Sequence, residues 1–305
     1  MRRVLVTGAS GFIGRCCLGP LVARGYEVTA VSSRPARGGA VRWVQRDLLN
    51  VEAATALMAA ERPDALLHLA WYAVPGRFWE APDNFAWIRS SLALLRAFLR
   101  SGGRRIVTSG TCAEYAPSGV PCLEGRTPLQ PTRTYGACKH AVHSMQAALC
   151  RQAGAGQAWG RVFHTYGPGE PPQKLVTSVI DSLLAGRPAR CTHGRQVRDL
   201  MHVRDVGDAL VALLDSDVQG PVNIASGRPV ALGDVAKTIG EQLGRPDLVQ
   251  LGAIESPPQD PPVLSADTAR LRCEVGWLPM FDLEAGLRDT IGRRRMELEA
   301  EAVAA

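Results

Sequence analysis

Residues 1–14 read Met-Arg-Arg-Val-Leu-Val-Thr-Gly-Ala-Ser-Gly-Phe-Ile-Gly, and this stretch decides the fold. The apolar run at residues 4–6 is typical of a strand buried in a parallel sheet. Gly8, Gly11 and Gly14 follow as a turn, and a helix pattern continues to about residue 24. A strand, a glycine turn and a helix start predict a pyrophosphate site, because small residues allow close approach and the first helical N–H groups are unpaired. A tight turn without a ligand is the alternative.

Composition limits the class of protein. The chain has 305 residues, of which 46% are hydrophobic and 21% charged, so we expect a globular protein with one large and one smaller domain. No run of about twenty apolar residues occurs, and the first residues read as a strand, so we expect neither a membrane span nor a signal peptide. The expected location is the cytoplasm.

Charge and cysteine content narrow the partners further. The net charge of +6 is carried by dispersed arginines rather than a basic run with aromatic residues, so we do not expect nucleic-acid binding. A small polyanionic ligand explains the charge equally well. The eight cysteines show no metal-ligand spacing, and we expect reduced thiols and no metal site.

The second predicted strand, residues 26–31, ends at Ser32, Ser33 and Arg34. In a dinucleotide-binding fold this position meets the adenosine ribose, where a carboxylate favours NAD and an arginine accepts the 2′-phosphate of NADP. No acid is present here, so the sequence favours NADP over NAD, with Ser33 and Arg34 as ligands. A solvated loop residue is the alternative for Arg34.

Strand and helix patterns then alternate along the first half of the chain. This cadence predicts an α/β fold with a doubly wound parallel Rossmann sheet and a smaller, interleaved C-terminal substrate lobe. The expected division assigns residues 1–165 and about 194–218 to the dinucleotide-binding domain. Residues 166–193 and 219–305 form the expected lobe.

The sharpest chemical signal is Tyr135-x-x-x-Lys139. Residues four apart share one helix face, so the hydroxyl and the ammonium can point into one cleft. The ammonium and a positively charged nicotinamide ring favour the phenolate, which would bring the pKa of Tyr135 from its ordinary value near 10 toward working pH. An unremarkable surface pair is the alternative.

With its Gly8-x-x-Gly11-x-x-Gly14 turn, a serine and threonine strand end near residue 110 and the Tyr-x-x-x-Lys pair, the chain resembles the extended short-chain dehydrogenase/reductases. These enzymes act as NAD(P)-dependent nucleotide-sugar epimerases, dehydratases and ketoreductases. The resemblance implies that Tyr135 is the acid/base and that Lys139 binds the nicotinamide ribose. It assigns Thr111 to the reacting oxygen, with Ser109 as the weaker candidate.

The same resemblance implies the rest of the cofactor site. Asp47 and Leu48 would contact adenine, Leu69 and Ala70 would lie on the nicotinamide side, and His68 would be packed rather than catalytic. Residues 71–83, rich in aromatic residues and prolines, would form a loop at the mouth of the site. The first βα turn would contribute Gly8, Ser10, Gly11, Phe12, Ile13 and Gly14.

Substrate-side residues implied by the resemblance are Thr111, Cys112, Tyr135, His164 and Arg198. Arg198 matches an arginine that holds a nucleotide diphosphate, while a second arginine often found near residues 259–262 is missing. His164 replaces the usual asparagine, either to tune specificity or simply to cap its strand. Cys112 and Ala113 stand where sugar dehydratases carry proton-transferring side chains, and Glu114 is expected to point elsewhere, so dehydration is not expected.

These features favour NADPH-dependent reduction of the keto group of a nucleotide-linked 4-keto-6-deoxyhexose. A nucleotide-sugar 4-epimerase that retains NAD is the first alternative, and a non-catalytic NADP-binding regulator is the second. The helices near residues 84–100 and 135–152 form a dimer interface in the resembling family and are rich in alanine and leucine here, so we expect a homodimer.

Overall fold

The computed structural model describes residues 2–116, 119–256 and 260–304. Its opening follows the prediction, with a strand that leads through the glycine turn into a helix. The helix begins at Gly14, two residues later than the apolar pattern indicates, because the backbone between Gly8 and Ile13 is taken up by the turn.

The strands of the described residues form two main sheets and one short pair. The larger sheet has seven parallel strands in the order β10-β6-β5-β4-β1-β2-β3. The strands are β1 (Arg2–Thr7), β2 (Tyr26–Ser32), β3 (Arg42–Gln45), β4 (Ala65–His68), β5 (Arg105–Thr111), β6 (Gly156–Val162), β7 (His164–Tyr166), β8 (Ala189–Arg190), β9 (Val197–His202), β10 (Gly220–Ile224), β11 (Pro229–Ala231), β12 (Val249–Gln250) and β13 (Val263–Leu264).

Helices cover both faces of the large sheet, which confirms the predicted doubly wound architecture. They are α1 (Gly14–Ala23), α2 (Val51–Glu61), α3 (Asp83–Arg100), α4 (Thr134–Ala153), α5 (Leu175–Leu184), α6 (Val203–Asp215), α7 (Leu232–Gln242) and α8 (Leu283–Ala304). Side chains alternate across β1, so that Val4 and Val6 pack with α1 and α6 while Leu5 packs with α2 and α3. In the described part of the chain, no helix has both the length and the apolar character that crossing a bilayer requires.

A smaller lobe covers the carboxyl ends of the central strands. Its sheet joins β9 to β7, β11 and β13, and the short strands β8 and β12 pair separately. The lobe has its own apolar core, in which Val179 and Ile180 of α5 pack with Ile239 of α7 and Leu287 of α8. Ligands of open α/β sheets bind beyond the carboxyl ends of the strands, so the lobe lies where it can complete a site.

Two strands fall on the other side of the boundary expected from the sequence. β10, placed in the lobe, is the edge strand of the large sheet and pairs with β6. β9, placed in the dinucleotide-binding domain, pairs with β7 and β11 in the lobe. The correction has a physical cause: both segments are short, and a local pattern does not reveal which partner strand their backbone groups find.

Candidate active site

The glycine turn is packed too tightly for larger residues at two of its three glycines. Gly8 has a φ of 67°, and a Cβ there would lie 2.8 Å from the Ala70 nitrogen. A Cβ on Gly14 would overlap the carbonyl oxygen of Gly8. Gly11 instead faces outward, and no side chain caps α1 within the described residues. The exposed turn and the uncapped N–H groups fit a pyrophosphate, with Ser10, Phe12 and Ile13 at the same turn.

The end of β2 carries hydroxyls and a guanidinium. Ser32 is buried, and its Oγ lies 2.8 Å from the Oγ of Ser10 and accepts the Arg34 backbone N–H at 3.2 Å. Ser33 and Arg34 are exposed, and no carboxylate of the described chain pairs with Arg34 within 4.0 Å. After the neighbouring strand β3, Asp47 accepts the backbone N–H of Leu49 at 2.9 Å, and Leu48 is buried.

His68 at the end of β4 is a packed residue, as expected. Its Nδ1 lies 2.7 Å from the Thr7 hydroxyl and its Nε2 lies 2.9 Å from the Ser91 hydroxyl. Because the Thr7 oxygen already accepts the N–H groups of Leu69 and Ala70, its proton goes to Nδ1, and Nε2 carries the ring proton. Burial, together with the nearby Lys139, lowers the pKa of His68 to about 3. His68 is therefore neutral, and its two hydrogen bonds tie the end of β4 to Thr7 of β1 and Ser91 of α3.

Thr111, Tyr135 and Lys139 come together at the carboxyl end of β5. Lys139 lies one turn after Tyr135 on α4, and its Nζ donates to the Ser109 carbonyl oxygen at 2.9 Å. The Thr111 hydroxyl faces the Tyr135 phenol and also accepts the backbone N–H of Ala113 at 3.2 Å. Ser109 thus contributes its carbonyl oxygen, which positions the ammonium, rather than its hydroxyl.

Burial dominates the electrostatics of this group. It raises the pKa of Tyr135, and the Thr111 hydroxyl only partly opposes that rise. Burial also lowers the pKa of Lys139 to about 7 against the attraction of Glu114. In the chain by itself the pKa of Tyr135 is therefore raised, whereas the predicted lowering, which also requires a positively charged nicotinamide ring, stays a prediction.

Glu114 points away from the reacting groups. It lies on the short 3₁₀ turn Cys112–Glu114 and is fully buried. One carboxylate oxygen accepts the Thr111 backbone N–H at 2.9 Å and the Trp159 indole N–H at 2.8 Å, and the other accepts Arg161 Nε at 3.1 Å. With both oxygens bound, Glu114 supports the strand end and is not available to transfer protons to a ligand.

Arg198 and His164 lie on the paired strands β9 and β7 of the lobe. Arg198 is buried, donates to the Val197 carbonyl oxygen at 2.8 Å and forms an ion pair with Asp260. Burial lowers the pKa of His164 to about 3, with smaller contributions from Arg198 and Lys174. His164 is the first residue of β7 and is neutral. Gln259, in the stretch that lacks the second arginine, lies outside the described residues.

The comparison with known proteins agrees with this geometry. The NAD dependent epimerase/dehydratase family matches residues 4–225 of the chain. The chain belongs to this family. The resemblance predicted from the motifs is therefore confirmed, and the protein is an enzyme of oxidoreductase type.

Individual relatives cover nearly the whole chain. UDP-glucose 4-epimerase of Azospirillum brasilense is 32% identical over 93% of this chain and 89% of its own length. The 3-diazoavenalumate denitrifying reductase of a Streptomyces species is 28% identical over 95% and 99%. The solved structure of MoeE5 in complex with UDP-glucuronic acid and NAD is 28% identical, with a TM-score of 0.84 over 97% of this chain and 99% of that one.

An aromatic wall beside Tyr135 is the main feature that the sequence did not assign. We use this name for Trp71, Phe78 and Trp79, whose ring centroids lie 6.4, 4.8 and 5.9 Å from that of Tyr135. Trp71 also lies 4.1 Å from the Lys139 Nζ, a cation–π contact. The only sequence signal was the aromatic content of residues 71–83, which indicated a loop at the site mouth without saying what the rings contact.

One group of side chains has metal-ligand spacing. In the described residues, Glu114, His140 and His143 bring one ligand atom each within 4.8 Å of one another. Because the Glu114 oxygens already accept three N–H groups, one of them from a guanidinium, the group does not fit a cation. The eight cysteines are free thiols.

Proposed function

We propose that this family member is an NADPH-dependent ketoreductase that reduces the keto group of a nucleotide-linked 4-keto-6-deoxyhexose. The observation that carries the proposal is geometric: the Tyr135 phenol lies beside the Thr111 hydroxyl and one helical turn before Lys139, at the carboxyl end of β5. A protonated phenol suits a reaction in which an oxygen gains a proton. Retention of both Tyr135 and Lys139 argues against a non-catalytic regulator.

The chain's own residues would divide the work as follows. When bound, NADPH supplies the hydride. Thr111 would hold the carbonyl oxygen by a hydrogen bond, and Tyr135 would donate its proton to that oxygen as negative charge develops. Lys139 would hold the nicotinamide ribose, and its positive charge would stabilise the phenolate that forms when Tyr135 gives up its proton. Cys112 and Ala113 offer no acid for dehydration, and Glu114 is engaged in the protein interior.

The preference for NADP rests on the end of β2. Ser32 occupies the strand end, and Arg34 is exposed without a carboxylate partner in the described chain. A carboxylate at this position would bind the ribose 2′-hydroxyl and repel a 2′-phosphate, whereas a guanidinium attracts it. The structure of MoeE5 contains NAD, so this chain would differ from that neighbour in its cofactor.

For the substrate, we propose a nucleotide diphosphate bound by Arg198. A guanidinium binds a phosphate through two parallel hydrogen bonds. Asp260 forms an ion pair with that guanidinium, so phosphate binding would require the carboxylate to share or release it.

We also propose a homodimer through α3 and α4, which pack together and carry the exposed apolar residues Phe85 and Met145. The free thiols are consistent with the cytoplasmic location that we propose. Light scattering tests the dimer.

A 4-epimerase that retains NAD is the second candidate, favoured by the 32% identity to the Azospirillum enzyme. The two functions differ in their need for added cofactor. We expect stoichiometric NADPH oxidation with a dTDP-, UDP-, CDP- or GDP-linked 4-keto-6-deoxyglucose. Interconversion of UDP-glucose and UDP-galactose by enzyme without added cofactor would establish the epimerase instead.

The cofactor assignment has its own test. We expect Arg34→Ala to raise the KM for NADPH roughly 10-fold or more and to leave the KM for NADH unchanged, because one charge-assisted phosphate contact is lost. Arg295→Ala, which removes an exposed arginine of α8, is the matched control and should change neither value. Equal use of both cofactors by the unmodified protein would contradict the assignment.

A further inference from the structure

The aromatic wall lines the side of the site on which Tyr135 acts. Phe78 and Trp79 stand edge-on to the phenol ring at interplanar angles of 77° and 90°. Trp79 remains 39% exposed, so part of its surface faces outward rather than into the core. A ligand that brings a carbonyl to the Tyr135 hydroxyl would therefore lie close to these rings.

Hydrogen bonds hold the wall against the catalytic helix. The Tyr135 backbone N–H donates to the Trp79 carbonyl oxygen at 2.9 Å, and the Thr134 backbone N–H donates to the Glu80 carboxylate at 3.2 Å. Asn84, which is fully buried, donates to the Phe78 carbonyl oxygen at 2.7 Å and accepts the Trp71 indole N–H at 2.8 Å. The rings are thus part of a preorganised surface, which reduces the ordering cost of binding.

The wall offers apolar surface and little polar compensation. Phe78 has no polar side-chain atom, and Trp71 and Trp79 carry one indole N–H each, of which that of Trp71 is already donated to Asn84. A hydroxyl pressed against the face of such a ring loses its water without gaining a hydrogen bond, whereas a methyl group or the C–H face of a sugar ring gains by burial. Hydrophobic contacts of this kind discriminate an added hydroxyl by up to about 100-fold.

We propose that the wall, and Trp79 in particular, selects substrates whose reacting ring has an apolar face, and so determines the preference for a 6-deoxy over a 6-hydroxy hexose. The proposal rests on the proposed function and deepens it, because it names the residues that would recognise the missing hydroxyl. These are specificity-determining residues, and proton donation stays with Tyr135.

Binding of a matched ligand pair tests the proposal without turnover. dTDP-6-deoxyglucose and dTDP-glucose differ by one oxygen, as do their UDP counterparts, and calorimetry measures both in the presence of NADP. We expect the unmodified protein to bind the 6-deoxy member of at least one pair roughly 10- to 100-fold more tightly. Trp79→Ala should reduce this ratio to about 3 or less, and Trp79→Phe should retain most of it.

Met296→Ala is the control, since it truncates an apolar residue that is 62% exposed on α8, away from the wall and from the proposed dimer interface. It should leave the ratio unchanged. Equal affinity for the two members of each pair, no binding of either pair, or an unchanged ratio in Trp79→Ala would overturn the proposal. So would a Trp79→Ala protein that has lost NADP affinity along with the ratio, because the residue would then serve the cofactor.

The two proposals fail separately. If the protein prefers the 6-deoxy ligands but oxidises no NADPH, the proposed role of the wall stands and the proposed ketoreductase activity is refuted. If the protein reduces 4-keto sugars with NADPH but binds 6-deoxy and 6-hydroxy ligands equally well, the proposed ketoreductase activity stands and the proposed role of the wall is refuted.

Discussion

Two buried cations lie near the carboxyl end of β5, and their surroundings differ. Arg161 on β6 is 1% exposed and Lys139 on α4 is 2% exposed. Arg161 donates to the Glu114 carboxylate at 3.1 Å and to the Tyr115 hydroxyl at 3.0 Å. Lys139 donates to one neutral carbonyl oxygen and contacts the ring of Trp71. One cation is paired with an opposite charge, and the other is not.

The pKa values respond accordingly. Burial alone would lower the pKa of Arg161, but Glu114 and Tyr115 more than offset it, so the pKa is raised. Burial lowers the pKa of Lys139 to about 7, and the attraction of Glu114 does not compensate. A buried charge that lacks a partner costs stability, so the chain tolerates at Lys139 a cost that it avoids at Arg161. We infer that Arg161 serves the fold and Lys139 the reaction.

The largest expected effects come from removing one tyrosine hydroxyl on each side of this comparison. Tyr135→Phe should lower kcat about 10²- to 10⁴-fold through loss of the proton donor, with Tm nearly unchanged. Tyr115→Phe should behave in the opposite way. Its hydroxyl donates to Asn223 at 2.7 Å and accepts from Arg161, so its loss should cost about 1–3 kcal/mol of stability while kcat of the folded enzyme changes little.

Single-turnover NADPH oxidation and thermal melts of both variants check this pair. A Tyr135→Phe enzyme with normal turnover would remove the tyrosine from the chemistry. A Tyr115→Phe enzyme with a normal Tm but impaired turnover would place the Arg161 cluster in the reaction.

The next effect comes from breaking the compensated pair itself. Glu114→Gln leaves Arg161 as a buried charge without a carboxylate, and we expect a loss of about 3 kcal/mol in the free energy of unfolding. Glu274→Gln is the control, because Glu274 pairs with Arg270 on the surface at 48% side-chain exposure and should change stability by less than about 0.5 kcal/mol. Urea unfolding measures both. Equal, small losses would mean that burial adds nothing to the Arg161–Glu114 pair.

Local features of the fold and site could be predicted from the sequence. The strand, turn and helix of residues 2–23 and the Tyr135-x-x-x-Lys139 pair depend on neighbours within one or two helical turns, so spacing alone indicates them. The position of Glu114 away from the site followed from its offset on a short turn after Thr111.

Contacts between distant segments could not be predicted in this way. Arg161 and Glu114 are 47 residues apart, and Arg198 and Asp260 are 62 apart. A sequence pattern shows that a charged residue is present but not which partner it meets across two sheets. The burial of Tyr135 could not be predicted for the same reason, since the aromatic wall that buries it comes from a loop more than 50 residues earlier in the chain.

The smallest expected change in stability comes from replacing Lys139, the buried cation without a carboxylate partner. Lys139→Met should abolish most activity yet stabilise the fold, because an apolar side chain replaces a charge that burial disfavours. A pKa drop from 10.5 to about 7 corresponds to an upper limit of about 5 kcal/mol, and the lost bond to Ser109 and contact with Trp71 reduce the net gain to about 1–3 kcal/mol.

The pH dependence of this gain distinguishes charge from packing. Below pH 7 the lysine is charged in both folded and unfolded chains, so the folded protein bears the full cost and the gain from Lys139→Met is largest. Above pH 7 the folded lysine loses its proton, and the gain should shrink steadily toward pH 10.5. Thermal melts at pH 6 and pH 9 measure the difference, with Lys237→Met, at 59% side-chain exposure, as the control. A gain that is equal at both pH values would attribute the stabilisation to packing rather than to the buried charge.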